Sequence, residues 1–320
     1  MPDLKPKILR LGTRDSKLAR LQTDRVASLL LSRFPELRFE IVAITTGGDK
    51  NLSKPIAELG MRGVFVKELE EALLAGQVDL VVHSLKDLPT DLPDGLTLAA
   101  IPERVDPRDV LVSHGRLPFS QLAAGARVAT SSRRRSAQLL VLRSDLEFVD
   151  IRGNIPTRLR KHDEGHCDAM VLAAAGLLRL GLSDRISEYL DPATSMPAVG
   201  QGALAVECRL EDQDTLAIAG AIDDPQLRAR ITAERAFLDC LGGGCSVPVG
   251  ALAREEKGLI VLHGCIAALD GSRVFRSTLT GRPAEAQDLG RRLAEQMLAD
   301  GARPIIDSFK QSAPQAVSPP

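Results

Sequence analysis

The 320-residue sequence contains no tryptophan and one tyrosine, and aromatic residues make up only 3% of it. This scarcity argues against aromatic platforms on which bases or sugars would stack. The 41 basic and 42 acidic side chains balance, which excludes a globally basic nucleic-acid-binding protein and an acidic disordered one. Apolar runs stay short of the roughly 20 residues that span a bilayer, and the N-terminus lacks the apolar segment and cleavage site of a signal peptide. We therefore expect neither nucleic acid nor a membrane as a partner.

Cysteine is scarce as well, with five residues and no CxxC or other metal-ligand spacing. We therefore predict no metal site and a cytoplasmic enzyme with free thiols. Cys245 follows the glycines at 242–244, in a loop that lacks the lysine and hydroxyl of a P-loop. A thiol on such an uncrowded loop could be accessible, although a buried free cysteine is the commoner case. We expect the other four to pack inside the protein: Cys167, Cys208, Cys240 and Cys265.

Strand and helix patterns alternate along the first two thirds of the chain, and 44% hydrophobic residues suffice for a real core. Strands are predicted at 7–11, 39–44, 78–82, 110–112, 128–129, 148–151 and 170–175. Helices are predicted between them at 15–31, 67–74, 134–142 and 156–161. Short connections between such elements predict parallel sheets covered by helices on both faces.

This pattern predicts an α/β protein of three domains, in which two doubly wound lobes enclose a ligand cleft and a smaller α/β domain follows. The segment 102–108 (PERVDPR) would cross between the lobes, and 197–209 would cross back. The predicted limits are 1–103 with 201–222 for lobe 1, 104–200 for lobe 2, 223–310 for the C-terminal domain and 311–320 for a disordered tail.

A polar segment, HSLKD at 83–87, follows a predicted buried strand. At this edge of an open parallel sheet ligand-contacting side chains emerge, so Ser84, Lys86 and Asp87 are candidate ligand residues. On position alone, a solvated turn capped by an aspartate is an equal alternative. His83 is expected to be a packed structural histidine.

Two arginine clusters follow predicted strands of the second lobe. In TSSRRR (130–135), hydroxyl side chains can cap a helix, but three arginines oppose the preference of the helix dipole for acidic residues in the first turn. An anion should therefore compensate them unless they point to solvent. Arg152 and Arg158 flank a second helix start, with Asn154 as a candidate cap. Either arginine alone could be a surface charge, but two clusters in one lobe favour an anion site.

Ten motifs between about Ile8 and Gly250 resemble those of the porphobilinogen deaminase (hydroxymethylbilane synthase) family and occur in the same order. Among them are GTRDSKLARLQ, VDLVVHSLKDLP, RVDPRDVLV, ATSSRRRSAQL, DIRGNIPTRL, PAVGQGALAVECR and GGGCSVPVG. The resemblance implies two lobes like those of periplasmic binding proteins, and a monomer. It also implies a transferase of porphyrin and heme biosynthesis that joins four porphobilinogen molecules head to tail on a covalent dipyrromethane cofactor. Ammonia leaves at each step, and hydrolysis then releases 1-hydroxymethylbilane.

The same resemblance assigns roles to individual residues. It implies that Asp87 is the catalytic carboxylate and that Cys245 holds the dipyrromethane through a thioether. Matching cofactor-binding positions are Lys86, Ser132, Arg134 and Arg135, and matching substrate-binding positions are Arg14, Ser16, Arg152, Arg158 and Arg179. Three residues depart from the family pattern, which leaves the packing around them open: Lys17, Arg20 and Arg133.

Two other functions stay open at this point. The two-lobed architecture also serves non-enzymatic solute-binding and sensor proteins, because fold does not decide function. A homologue that binds tetrapyrroles without turnover is the second alternative. Neither would need both the Asp87 motif and a cysteine on a glycine loop, so an enzyme is the favoured interpretation.

Overall fold

The computed structural model of the chain describes residues 8–50, 65–242 and 247–312, and the side chains at 49–50 and 310–312 are not described. Cys245, the predicted cofactor anchor, lies outside the described residues. So does most of the predicted tail, of which only residues 311 and 312 are described, at the end of a helix. No described helix combines the length and the apolar character needed to cross a bilayer.

The first sheet contains five strands: β1 (Ile8–Arg14), β2 (Arg38–Ile44), β3 (Leu80–Ser84), β4 (Leu96–Ala100) and β10 (Leu204–Arg209). Their order in space is β2-β1-β3-β10-β4. The short helix α2 (Gly47–Lys50) follows β2 in the chain. Helices α1 (Lys17–Arg33) and α7 (Gln213–Gly220) pack on one face of the sheet, over Leu9 and Leu80, and α3 (Lys67–Leu74) packs on the other, over Val81.

The second sheet repeats this plan with β5 (Asp109–Ser113), β6 (Arg127–Ala129), β7 (Glu147–Val149), β8 (Ala169–Ala173) and β9 (Glu188–Tyr189). Their order is β7-β6-β8-β5-β9. Helix α4 (Arg133–Leu140) covers one face, and α5 (Ile155–Asp163) and α6 (Ala174–Arg179) cover the other. Because helices cover both faces of each sheet, the predicted pair of doubly wound lobes is confirmed.

The expectation of purely parallel sheets is wrong for one strand in each lobe. β10 runs antiparallel to β3, with Leu204 opposite Ser84, and β5 runs antiparallel to β8, with Asp109 opposite Ala173. Both strands are the first that the chain forms after it crosses between the lobes. The crossings arrive at the edge where the parallel strands end, so the next strand has to run away from that edge. Since β10 lies in the first sheet, we propose that residues 201–222 belong to lobe 1.

The C-terminal region packs helices on an antiparallel sheet of β11 (Val249–Glu256), β12 (Leu259–Ala267) and β13 (Val274–Gly281). The helices are α8 (Pro225–Cys240), α9 (Ala286–Met297) and α10 (Arg303–Ser312). α8 and α9 approach so closely that a Cβ atom at Gly290 would lie 2.2 Å from the carbonyl oxygen of Ala233. Only glycine permits this contact, which brings Phe237 and Leu293 into one core.

One buried carboxylate on α8 joins this region to both crossings. Glu234 is fully buried, and its oxygens accept hydrogen bonds from the Arg104 guanidinium at 2.6 Å, from the Gly200 N–H at 2.8 Å and from the Ala253 N–H at 2.8 Å. Arg104 lies in the first crossing and Gly200 in the second. A buried charge with this many donors is well compensated, so Glu234 holds the crossings against the C-terminal sheet.

Candidate active site

The segment that carries Asp87 is a single turn at the carboxyl edge of the first sheet. β3 ends at Ser84, and a 3-10 turn, Leu85–Asp87, follows it. Leu85 and Leu88 are 2% and 4% exposed, so they anchor the turn in the core while Lys86 and Asp87 remain half-buried. No described residue donates a hydrogen bond to the Asp87 carboxylate. Asp87 therefore keeps its acceptor capacity for a ligand.

His83, which precedes this turn, is buried and lies 2.9 Å from Glu207 through its Nε2 atom. The prediction of a packed structural histidine is confirmed. Three of the four cysteines predicted to pack are buried, namely Cys167, Cys208 and Cys265, and burial raises the pKa of each thiol to about 11. The fourth, Cys240, is half-buried.

A buried polar chain links Lys86 to the second lobe. The Lys86 Nζ atom donates to Gln201 Oε1 at 3.4 Å, and Gln201 Nε2 donates to Asp109 Oδ1 at 2.9 Å. Burial lowers the pKa of Lys86 to about 8; nearby Asp87 and Asp109 oppose this fall, and Arg135 and Arg134 add to it. The amine thus lies close enough to both lobes to respond to their charges.

The TSSRRR segment forms the start of α4, with Ser132 at the cap position but without a side-chain cap hydrogen bond. Arg134 and Arg135 are buried and bind one carboxylate, Asp109, through contacts of 2.7 Å each. The anion that the sequence led us to expect is therefore, for these two arginines, a residue of the chain itself. Although burial opposes ionisation, the two guanidinium groups hold the pKa of Asp109 well below its usual range. Ser195 adds a further hydrogen bond to Asp109 at 2.8 Å.

The second arginine cluster is arranged differently. Asn154 caps α5, as predicted, by accepting from the Thr157 N–H at 3.0 Å. The half-buried Arg158 donates from Nε to the Gly153 carbonyl at 2.7 Å, and no described carboxylate pairs with it. Arg152 lies 3.5 Å from Asp150.

Charged side chains of both lobes influence Arg158. Burial lowers the pKa of its guanidinium to about 10, with Arg135 and Arg152 contributing, while Asp150 and Asp87 oppose the fall. Asp87 belongs to the first lobe and Arg158 to the second. Asp87 is thus near enough to Arg158 to interact with it electrostatically across the two lobes, and no described carboxylate forms an ion pair with Arg158.

Three more predicted site residues are Ser16 and Arg14 in the first lobe and Arg179 in the second. Ser16 caps α1 by accepting from the Ala19 N–H at 3.2 Å, and the Arg14 guanidinium lies 4.1 Å from the centre of the Phe65 ring. Arg14 ends β1 and Ser16 follows it, at the same sheet edge as Asp87. Arg179, at the end of α6, donates to the Gly202 carbonyl at 2.9 Å, and burial lowers its pKa.

The three departures from the family pattern have simple surroundings. Lys17 is exposed, and Arg20 is exposed and binds Asp15 at 2.5 Å. Arg133 is exposed and lies over the ring of Phe309, 5.7 Å from its centre. None of them disturbs the packing of α1 or α4.

Asp109, Gln201 and Glu234 connect the lobes, the crossings and the C-terminal sheet, yet the sequence patterns did not single them out. Asp109 and Gln201 stand within segments used for the resemblance, RVDPRDVLV and PAVGQGALAVECR. Their partners lie far away in sequence, so no local pattern marks them. A buried aspartate at the start of a strand, in a lobe with an arginine cluster, is the one signal that sequence reasoning could have used for Asp109.

Fold and site together define a two-lobed α/β protein with a carboxylate and several cationic side chains near the ends of its parallel strands, and with an added C-terminal domain. Comparison with known proteins narrows this class. The family model "Porphobilinogen deaminase, dipyromethane cofactor binding domain" matches residues 9–217, and "Porphobilinogen deaminase, C-terminal domain" matches 228–299. The chain therefore belongs to the porphobilinogen deaminase family, transferases that polymerise porphobilinogen in tetrapyrrole biosynthesis. The resemblance drawn from the motifs and its dipyrromethane cofactor are confirmed.

Individual relatives agree with this family. The porphobilinogen deaminase of Roseiflexus castenholzii is 50% identical over 298 residues, which cover 93% of this chain and 98% of the relative. That of Syntrophobacter fumaroxidans is 46% identical over 303 residues, covering 95% and 98%. Among solved structures, the methionine binding protein MetQ is 16% identical and matches 68% of this chain and 90% of its own, with a TM-score of 0.43.

Proposed function

We propose that this chain uses Asp87 as the carboxylate at which four porphobilinogen molecules are joined in turn, and Cys245 as the anchor of the dipyrromethane. The observation that carries the proposal is that Asp87, to which no described residue donates a hydrogen bond, follows Lys86, whose amine is linked to the second lobe through Gln201 and Asp109. Arg158 of that lobe is near enough to Asp87 to interact with it electrostatically. An acceptor and a cation in one cleft suit a ligand that carries both N–H groups and carboxylates. Pyrroles with acetate and propionate side chains are such ligands.

Arginine side chains would bind the carboxylates of porphobilinogen and so position its rings. Each porphobilinogen carries two carboxylates, and a charge-assisted hydrogen bond contributes roughly 1.5–3 kcal/mol. We assign Arg14, Ser16, Arg152, Arg158 and Arg179 to the substrate side chains. A few such contacts suffice to fix each ring of the growing chain relative to Asp87.

The two arginines proposed to bind the cofactor are held in place by protein contacts. Arg134 and Arg135 each use three of their N–H donors on Asp109 and on main-chain carbonyls of Met196 and Val171. A guanidinium has five N–H donors, so each arginine has two that no described residue accepts from, and we assign these to a ligand carboxylate. With Lys86 and Ser132, we assign them to the dipyrromethane. When bound, that group supplies the pyrrole carbon at which the chain begins to grow.

Asp87 would stabilise the positive charge of the reaction intermediate and accept a proton from the newly joined ring. Loss of ammonia from porphobilinogen leaves an electrophilic azafulvene whose positive charge is shared with the ring nitrogen. An ionised carboxylate beside that nitrogen stabilises the charge, and because it is held by a short turn anchored by two buried leucines it needs little reorganisation. The same oxygen atoms can accept the proton that the newly joined ring must lose.

Two measurements test this function against its alternatives. Intact mass under denaturing conditions should show a covalent dipyrromethane adduct on the purified chain, and porphobilinogen should release ammonia at a rate proportional to enzyme. A solute-binding or sensor protein would carry no adduct. A homologue that only binds tetrapyrroles would release no ammonia.

We further propose that the protein is a cytoplasmic monomer that acts without nucleic acid. The balanced charge supports the last point, because it provides no broad basic surface for a phosphate backbone. Light scattering coupled to size exclusion should give the mass of one chain. A dimer mass would contradict the monomer assignment alone and leave the reaction unaffected.

A further inference from the structure

Arg235 of α8 reaches across to the segment that follows Asp87. Its guanidinium donates to three consecutive main-chain carbonyls: Leu88 at 3.3 Å, Pro89 at 2.6 Å and Thr90 at 3.0 Å. Among the described residues these carbonyls are its only hydrogen-bond acceptors. Burial lowers the pKa of Arg235, and Asp239, Asp91 and Glu207 oppose that fall. A guanidinium nevertheless stays charged at any physiological pH, so three charge-assisted hydrogen bonds persist.

These contacts matter because the Asp87 turn is short. It is closed by one backbone hydrogen bond, from the Leu88 N–H to the Leu85 carbonyl at 3.1 Å. Pro89 has no N–H with which to extend that pattern. Arg235 therefore supplies, from outside, the constraint that a longer helix would provide for itself. Its planar fork suits several adjacent carbonyls, which a lysine ammonium serves less well.

The helix that carries Arg235 also leads to the loop of the proposed cofactor anchor. α8 ends at Cys240, five positions before Cys245 in the sequence. Next to Arg235 on this helix, Glu234 holds both crossings and β11. One helix thus contacts the Asp87 segment and leads directly into the loop that bears the proposed anchor.

We propose that Arg235 is a positioning residue for Asp87, fixing the carboxylate relative to the domain that carries the cofactor. The inference rests on the proposed function of Asp87 and Cys245. Arg235 touches no reacting atom in this scheme and acts only through the segment 88–90. A small displacement of a well-placed catalytic group costs about 10²-fold in rate, so loss of these contacts should be visible in turnover.

The experiment compares Arg235→Met, Arg235→Lys and a control, Arg230→Met. Arg230 lies on the same helix, and among the described residues its only hydrogen bond is to the Gln226 carbonyl of its own helix. On protein that carries its adduct, Arg235→Met should lower kcat about 10- to 100-fold while KM changes less than about threefold. The kcat of Arg235→Lys should lie between those of the wild type and Arg235→Met, and the kcat of Arg230→Met should equal that of the wild type.

Hydrogen–deuterium exchange gives a readout that does not depend on turnover. Amides in the peptide 84–92 should exchange faster in Arg235→Met than in Arg230→Met, since the contacts to 88–90 are lost. If Arg235→Met does not fold, Arg235→Lys supplies the same comparison. Unchanged exchange in both folded Arg235 variants would overturn the inference.

A double-mutant cycle separates positioning from general destabilisation. If Arg235 acts through Asp87, the Met substitution should lower kcat by less than about threefold in an Asp87→Glu background, where the carboxylate is already displaced. Fully additive losses would overturn the positioning role while leaving the proposed function intact. Absence of an adduct and of turnover in the wild type would instead overturn the proposed function, and the positioning role with it.

Discussion

The Asp109 Oδ1 atom lies 2.7 Å from the terminal nitrogen of Arg135, and both side chains are buried. Arg134 binds the other oxygen of the same carboxylate. The cluster of Asp109, Arg134 and Arg135 therefore has two cations on one anion, with Gln201 and Ser195 supplying neutral donors. Such a cluster has spare positive charge inside the protein, which favours an anionic ligand, but it is also part of the lobe's interior.

Removal of the Asp109 charge should therefore lower the free energy of unfolding. Asp109→Asn leaves two buried guanidinium groups without a carboxylate, and breaking a buried pair in this way costs about 3–5 kcal/mol of unfolding free energy. Urea denaturation measures the loss. The control is Asp145→Asn, which breaks an exposed ion pair with Arg143 in the same lobe and should leave stability almost unchanged. Equal stability of the two variants would contradict this account of Asp109.

Arg134 and Arg158 should respond differently to the same substitution. Arg158→Leu removes a half-buried cation that has no described carboxylate partner, so thermal stability should hold while elongation slows. Arg134→Leu breaks the buried bond to Asp109, so both stability and adduct formation should fall. Melting temperature and intact mass, measured on each variant, distinguish the two. Parallel losses of stability would show that Arg158 is a structural residue like Arg134.

Asp87→Asn keeps the shape of the side chain and removes its charge. Loss of one well-aimed electrostatic group costs about 3–4 kcal/mol, or ~10²–10³-fold in rate, and ammonia release should fall at least that far. Asp87→Glu should keep a small residual activity, because the charge survives one methylene further out. Only protein with its adduct is compared, since failed assembly would mimic failed catalysis. An adduct-bearing Asn variant within about tenfold of the wild-type rate would remove Asp87 from the mechanism.

The anchor prediction compares two nearby cysteines. Cys245→Ala should abolish both the covalent adduct and turnover, because the resemblance places the thioether there. Cys240→Ala should retain both, since Cys240 ends α8 as a half-buried residue. Intact mass and peptide mapping identify the modified residue. An adduct mapped to Cys240 would overturn the assignment.

Glu70 should make stability depend on pH. Burial raises its pKa to about 7, with Glu207 and Glu71 contributing and His83 opposing. Because the folded-state pKa is raised, the stability that Glu70 contributes is fully present below its unfolded value of about 4.5 and is lost as pH rises through 7. Glu70→Gln should thus be more stable than the wild type at pH 8, by on the order of 3 kcal/mol, and similar at pH 5. Urea midpoints at both pH values measure this.

The matched control for that prediction is Glu71→Gln. Glu71 is its exposed neighbour on α3 and lies 3.7 Å from Lys67. At pH 8 Glu71→Gln should change the unfolding free energy much less than Glu70→Gln does, because substitution of an exposed side chain alters little packing or hydration. If the wild type and Glu70→Gln have the same pH dependence, Glu70 is ionised in the fold at neutral pH.

Much of this protein could be predicted from its sequence alone. Apolar periodicity and short connections indicated two doubly wound lobes, and the cap at Asn154 and the packing of His83 were both correct. The ordered motifs identified the family, and with it the residues proposed for chemistry. The strands, the cap and the motifs are local features that depend on neighbours within a few positions, so they can be recognised in the sequence alone.

Only the tertiary structure decided how those residues are paired. Arg134 meets Asp109 across 25 positions of sequence, and Arg235 meets Leu88 across 147. The directions of β5 and β10 depend likewise on where the crossings enter the sheets. A side chain's partner is selected by burial and packing of distant segments, and a buried charge accepts whichever partner the fold brings to it. The sequence therefore determined which groups are present, and the packed fold determined that Arg134 and Arg135 have a protein carboxylate of their own while no described carboxylate pairs with Arg158.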